Sequence, residues 1–271
     1  MELQNLTKGV NKIIPKVYED AIQPTAKVIG QMGETIAKAI NTALIPLRLI
    51  VWKAEEIENS IKTGLEEKMK NISLDEIQTP NPRIAGPTLE GLRYTAQEKE
   101  LREMYTSLLA NSMNKKVAPN VHPSFPDIIK QLCSEEAKIL EFLSYSNPIA
   151  KIDIKIFPKN SSQGFSHYLK NFSLISKLSF VENHQKANLY LDNLIRLSLI
   201  HIENDNFFLT EEFYSDLINS KEIISLIDET KNNNTTFNLT EGNITLTTFG
   251  KEFCNCCIEK KDMLCLNIKT E

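Results

Sequence analysis

Apolar residues return every three or four positions along most of this chain, which is the period of helices with one buried face. In the first third the pattern predicts three helices, over Lys8–Asp20, Pro24–Leu44 and Pro46–Lys70. Pro15, Pro24 and Pro46 punctuate them, as expected of a residue that suits the first helical turn and breaks an interior. In the third, Leu47, Ile50, Val51, Ala54, Ile57, Ile61, Leu65 and Met69 form a single stripe. Gly30, Gly33, Ala37 and Ala43 keep the second slim enough for close helix packing.

The period is interrupted between Asn71 and Tyr94. Ser73 and Glu76 have capping-box spacing, so a short helix is expected to start at Ser73. Pro80, Pro82 and Pro87 then remove backbone donors and push their predecessors toward extended geometry. The expectation is an extended Pro-rich strap laid across the helices and ending at Leu89, Leu92 and Tyr94. The helical period resumes over Gln97–Asn114, where Leu101, Met104, Tyr105, Leu108 and Leu109 share a face and Lys115 and Lys116 suit the negative end of the helix dipole. His122-Pro123-Ser124-Phe125-Pro126 reads as a turn, in which His122 is expected to hold the geometry through a hydrogen bond. Asp127–Leu132 reads as a short helix and Glu135–Ser144 as another, capped by Ser134.

From about Asn147 the texture changes. Ala187–Leu197 is helix-like, Leu199–Ile202 is a β-branched run, and Asn204-Asp205-Asn206 is turn chemistry before a partner strand at Phe207–Leu209. Glu211–Glu229 reads as an inserted helix, Asn243–Leu246 as another strand, and the closing helix opens at Thr248, Phe249 and Gly250 with Thr248 as its cap. A helix, short strands and a closing helix is the order of a winged helix. The expected fold is therefore mainly α: an N-terminal multi-helix region with an extended Pro-rich strap, then a C-terminal winged-helix-like α+β module. Its divisions are an amphipathic helical arm at 1–72, the strap and helical core at 73–146, and the winged-helix-like domain at 147–271, with its helical insertion near 211–229.

Composition changes this picture only locally. The 271 residues carry 31 basic and 35 acidic groups, a net charge of −4, which excludes a globally basic nucleic-acid coat. The balance is uneven. Residues 150–201 hold seven basic and three acidic groups (+4), and residues 202–271 hold six and thirteen (−7). The basic stretch contains Lys186, Asn193 and Arg196 on or beside the recognition-type helix, which makes them the candidate contacts for nucleic acid or a protein partner. Asp192 on the same helix opposes phosphate, and so few cations give few phosphate contacts.

Four of the five cysteines lie near the C-terminus. Cys254, Cys256 and Cys257 lack zinc-ligand spacing, and helical geometry points Cys256 away from the other two, so they read as part of an apolar helix face. No phosphate loop, dinucleotide fingerprint, nucleophile elbow or His-Glu-x-x-His pair occurs, and the histidines are scattered. Glu135 and Glu136 are adjacent on a helix and read as solvated or N-terminal groups. The expectations are a non-enzymatic protein with no cofactor or metal. Without a signal-peptide pattern or an apolar run of spanning length, the expected location is the cytoplasm, with membrane association on activation through residues 20–70 as an open option.

Four stretches in a fixed order carry a family resemblance: Asn81–Tyr94, with Pro82, Gly86, Pro87 and Tyr94; Glu100–Ala110; Val121–Phe125 followed by Ile128–Leu132, with His122, Pro123 and Phe125; and Leu194–Ile200 completed by Leu246–Phe253, with Phe249 and Gly250. Together they resemble the abortive infection alpha family of bacterial anti-phage proteins, over roughly residues 15–260. The resemblance implies a part in limiting phage spread and brings no catalytic residue. The expected mode, read from the contrast between the two halves of the chain, is a protein partner or a homo-oligomer, with a phage-derived trigger as an option. Two alternatives stay open: a membrane-disrupting effector using the N-terminal helices, and a winged-helix DNA-binding regulator. Ser198 stands where winged-helix modules commonly carry Gly and argues against a left-handed residue there.

Overall fold

The structure, a computed structural model, describes residues 54–146, 148–158, 166–204, 211–232 and 235–259. The helices expected over Lys8–Asp20 and Pro24–Leu44, and the strand expected at Phe207–Leu209, lie outside these residues. The chain divides into two compact units, Met1–Ser134 with Asn255–Glu271 and Glu135–Cys254.

In the first unit, α1 (Ala54–Met69) buries Ile61, Leu65 and Met69 at four-residue steps. It packs on α3 (Lys99–Met113), so residues 54–69 are part of this core. The strap is the main correction. Only a 3-10 turn at Leu74–Glu76 and a short non-helical run precede α2, which spans Pro82–Thr95 with Pro87 inside it. Ile77 pairs with Asn114, and the Gln78 N–H donates to Met113 O at 2.8 Å.

Several features make the Pro-rich segment helical. Pro82 occupies the first turn, where no donor is needed, and the Asn81 side chain accepts the Arg83 N–H at 2.9 Å. Gly86, directly before Pro87, has no Cβ for the proline ring to strike. An interior proline costs about 3 kcal/mol. Burial of Ile84 and Leu92, each worth about 1.5–3 kcal/mol, offsets it.

Helix α3 was expected to bury one face. It buries nearly all of them, including Thr106, Ser107 and Ala110, because α1, α2 and α4 (Phe125–Ile129) all pack on it. Lys115 and Lys116 hold the 3-10 turn through Asp75 O and the Glu76 carboxylate.

Helix α5 (Ser134–Tyr145) spans the division: Ser134 ends the first unit and Glu135 opens the second, ahead of the boundary expected near 147. The Ser134 hydroxyl donates to Glu98 at 3.0 Å. A four-stranded antiparallel sheet follows in the order β2-β1-β4-β3, built from β1 (Ile149–Pro158), β2 (Ser166–Phe172), β3 (Ile200–Asn204) and β4 (Thr235–Leu246). Neither β1 nor β2 was anticipated, and β4 starts well before Asn243. Ile152 and Ile154 face a core completed by Tyr214, Leu217, Ile223 and Leu226. Those four come from two helices, α8 (Glu211–Ile218) and α9 (Lys221–Asn232), where a single inserted helix was expected. The strand partner of β3 is β4.

Between β2 and β3 lie α6 (Ile175–Leu178), a 3-10 turn at His184–Lys186, and α7 (Ala187–Arg196). The last helix, α10 (Thr248–Cys257), is capped by Thr247 rather than Thr248: the Thr247 hydroxyl accepts the Gly250 N–H at 2.8 Å.

Ser198 is left-handed after all, with φ 58°. The Leu199 N–H donates to Leu194 O at 3.0 Å and the Ser198 N–H to Ile195 O at 2.8 Å, the Schellman arrangement. Leu194 and Leu199 are fully buried. Their burial and the two recovered hydrogen bonds outweigh the left-handed cost of about 1–2 kcal/mol. The same arrangement ends α6, with Phe180 at φ 56°.

Candidate functional site

The recognition-type helix is α7, and the candidate contacts behave differently along it. Lys186 ends the 3-10 turn just before the helix and is exposed. Asn193 and Arg196, one turn apart, are drawn together: the Arg196 Nε and NH2 groups donate to Asn193 Oδ1 at 2.9 and 2.7 Å. The Asn193 amide in turn donates to Glu136 Oε1 at 2.8 Å. Glu136 is therefore a buried carboxylate with a tertiary partner; it sits in the first turn of α5, the N-terminal alternative of its reading, and is not solvated. The outward face of α7 carries Leu189, 61% exposed, and Ile195, 39% exposed, beside exposed Asp192.

Glu135 accepts the Glu182 N–H at 2.8 Å and the Lys138 ammonium at 2.8 Å. Burial pushes its carboxyl upward, but these donors, helped by His184, outweigh burial and hold it below the ordinary carboxylate value. The first turn of α5 thus anchors the segment that leads into α7.

In the first unit the family-like motifs assemble around Tyr105. Its ring lies against the α2 backbone at Gly91, where a Cβ would stand 2.3 Å from Tyr105 Cζ. Its hydroxyl donates to Pro126 O at 3.1 Å. Burial raises the phenol well above its usual value, with Asp127, Cys257 and Glu90 adding to the shift. His122 Nδ1 stands 2.7 Å from Ser124 Oγ and accepts the Ser124 N–H at 3.2 Å, and its ring lies 5.9 Å from that of buried Phe125. Half-buried Pro123 sits inside this turn. Phe249 is half-buried, and Gly250 lies against the Leu199 carbonyl. Cys254, Cys256 and Cys257 are all buried, in keeping with an apolar helix face; the Cys256 Sγ lies 3.7 Å from Asn120 O.

The strand face opposite the Ile152–Ile154 core holds a buried ion pair the sequence reading missed. Lys151 Nζ lies 2.8 Å from Asp153 Oδ2 and also donates to Asn204. Asp153 Oδ1 accepts the N–H of Asn171, which is left-handed (φ 54°) at a bulge in β2. The signal lay in the strict alternation of Lys151, Asp153 and Lys155 with Ile152, Ile154 and Ile156. Among the described residues no three His, Cys, Asp or Glu side chains are grouped to hold a metal ion. Among the same residues no helix is long and apolar enough to cross a membrane.

The sequence profile of the family described as abortive infection alpha matches residues 53–257, from the start of α1 to the end of α10. The chain belongs to the abortive infection alpha family. Membership places it, in general terms, in abortive-infection phage defence. The matched span holds the Tyr105 assembly, the α7 network and the buried pair, and it begins later than the residue 15 suggested by the motifs alone. No curated protein sequence matches the chain. One solved structure, of an uncharacterized protein from the hydrocarbon-degrading marine bacterium Alcanivorax borkumensis SK2, is similar at 15% identity. The likeness covers 49% of this chain and 90% of that one, with a TM-score of 0.31, and it carries no argument about this family member.

Proposed function

We propose that this abortive infection alpha protein acts by binding a protein partner rather than by catalysis, and that α7 presents the contact face. One observation carries the reading. The polar groups that base readout would need, Asn193 and Arg196, are engaged with each other and with buried Glu136, while the outward residues include apolar Leu189 and Ile195. Apolar side chains held outward on a rigid helix favour a protein surface over phosphates. The second unit is read as a winged-helix-type module. Supporting this, α5 precedes β1, α6 and α7 follow the β1–β2 pair and lead into β3 and β4, β1, β4 and β3 are neighbours in the sheet, α8 and α9 are inserted between the last two strands in sequence, and β2 is an added edge.

The test is a phage challenge of cells carrying the Leu189→Asp/Ile195→Asp double variant. Both side chains are exposed, so the variant should melt within about 3 °C of wild type and yet lose protection. Undiminished protection overturns the proposal. So does tight duplex-DNA binding at low salt that weakens, with a flatter salt slope, in Lys186→Ala/Arg196→Ala.

A further inference from the structure

We propose that Arg93 and Tyr94, at the C-terminal end of α2, form a docking point for a carboxylate side chain of an acidic protein segment. This docking point stands on the first unit alone and does not depend on the reading of α7. Tyr94 is 63% exposed, unusual for a large aromatic ring in a helix packed on its neighbours. The Arg93 guanidinium carbon lies 5.6 Å from the Tyr94 ring centroid, within cation–π range. Arg93 is half-buried, and its Nε is fully buried with no hydrogen-bond acceptor among the described residues. Among the same residues no carboxylate forms an ion pair with it. Arg102 and Arg196, in contrast, donate to Ala96 O and to Asn193.

A partly desolvated guanidinium without a counter-charge attracts an anion more strongly than a fully hydrated one. A carboxylate drawing the head group outward also lets the orphaned Nε–H find an acceptor. Arginine and tyrosine are the residue types that dominate binding energy at protein interfaces. The number of cations separates a carboxylate from a polyphosphate chain. Exposed Glu90 and Glu98 flank the pair in sequence and weaken any anion alike, so Arg93 is the one positive group that this pair offers. One cation meets one carboxylate, whereas nucleic-acid affinity needs many phosphate contacts.

The test follows the Arg93 Nε–H resonance of the full-length protein by nitrogen-15 NMR, assigned by its disappearance in Arg93→Lys. Acetylated hexaglutamate should shift it saturably, while hexaglutamine and inorganic phosphate leave it in place. The titration curve, followed on backbone amides of α2, should weaken about fivefold in Tyr94→Ala and tenfold or more in Arg93→Gln. Tyr94 is exposed and Arg93 half-buried, and unchanged circular dichroism verifies the fold of both variants. An Nε–H signal that hexaglutamate does not move overturns the proposal. So does one that oligothymidylate moves further than hexaglutamate, which would assign the pair to nucleic acid.

Discussion

Replacing Gly250 by alanine tests how α10 seats against the turn that follows α7. A Cβ on Gly250 would stand 1.9 Å from the Leu199 carbonyl oxygen, 2.8 Å from its carbon and 3.1 Å from its Cα. These are backbone atoms, so no rotamer change relieves the overlap, and the chain must move by about 1.5 Å to restore ordinary contact. That movement pulls on a shared set of hydrogen bonds. Leu199 O accepts the Thr247 N–H at 3.1 Å, the Thr247 hydroxyl donates to Ser198 O at 2.7 Å, and it accepts the Gly250 N–H at 2.8 Å. Losing two or three of them costs about 0.5–1.5 kcal/mol each, and overpacking a close contact about 1–3 kcal/mol. Alanine returns at most about 1 kcal/mol of helix propensity. The balance is about 3 kcal/mol, a drop of roughly 6–12 °C in Tm for a protein of this size. Thermal unfolding by circular dichroism reads it directly, with Thr248→Ala, an exposed position at the start of the same helix, as control. A Gly250→Ala protein melting within about 2 °C of wild type would refute the reasoning.

Lys151→Met alone leaves Asp153 buried without its cation and should cost about 3–5 kcal/mol in denaturant unfolding, much of it recovered in Lys151→Met/Asp153→Asn, where the amide oxygen still accepts the Asn171 N–H. Asn193→Ala removes a donor from buried Glu136 and should cost about 1–3 kcal/mol, with an unchanged denaturant midpoint counting against the network. The Glu135 carboxyl is held below its ordinary value when folded, so its contribution is full above the ordinary carboxylate value of 4.5 and is lost as pH falls below it; Glu135→Gln should flatten the acid limb of a stability–pH curve. Tyr105 has the opposite sense: its phenol is raised in the fold, so the unfolded chain ionises first and stability falls as pH climbs past 10.0, a loss that Tyr105→Phe should remove at the cost of about 1 kcal/mol for the bond to Pro126.

Helical periodicity alone located α3, α5 and α7 and the buried stripe of α1, because an amphipathic face is written into local spacing. The family-like motifs were legible too, and the match over residues 53–257 agrees with them. Local rules failed where burial overrode them. Three prolines spoke for an extended strap, yet Asn81, Pro82 and Gly86 make a helix admissible and the burial of Ile84 and Leu92 makes it favourable. Ser198 adopts a left-handed turn because it recovers two helix-end hydrogen bonds and lets Leu194 and Leu199 both be buried. The roles of Asn193, Arg196 and Glu136 depended on a partner 57 residues away in sequence for the Asn193–Glu136 bond. So the sequence by itself determined the family and most helix positions, since these rest on short-range pattern. Tertiary structure decided the sheet order, the helical fate of the strap and which polar side chains face inward, since these rest on burial shared between segments far apart in the chain.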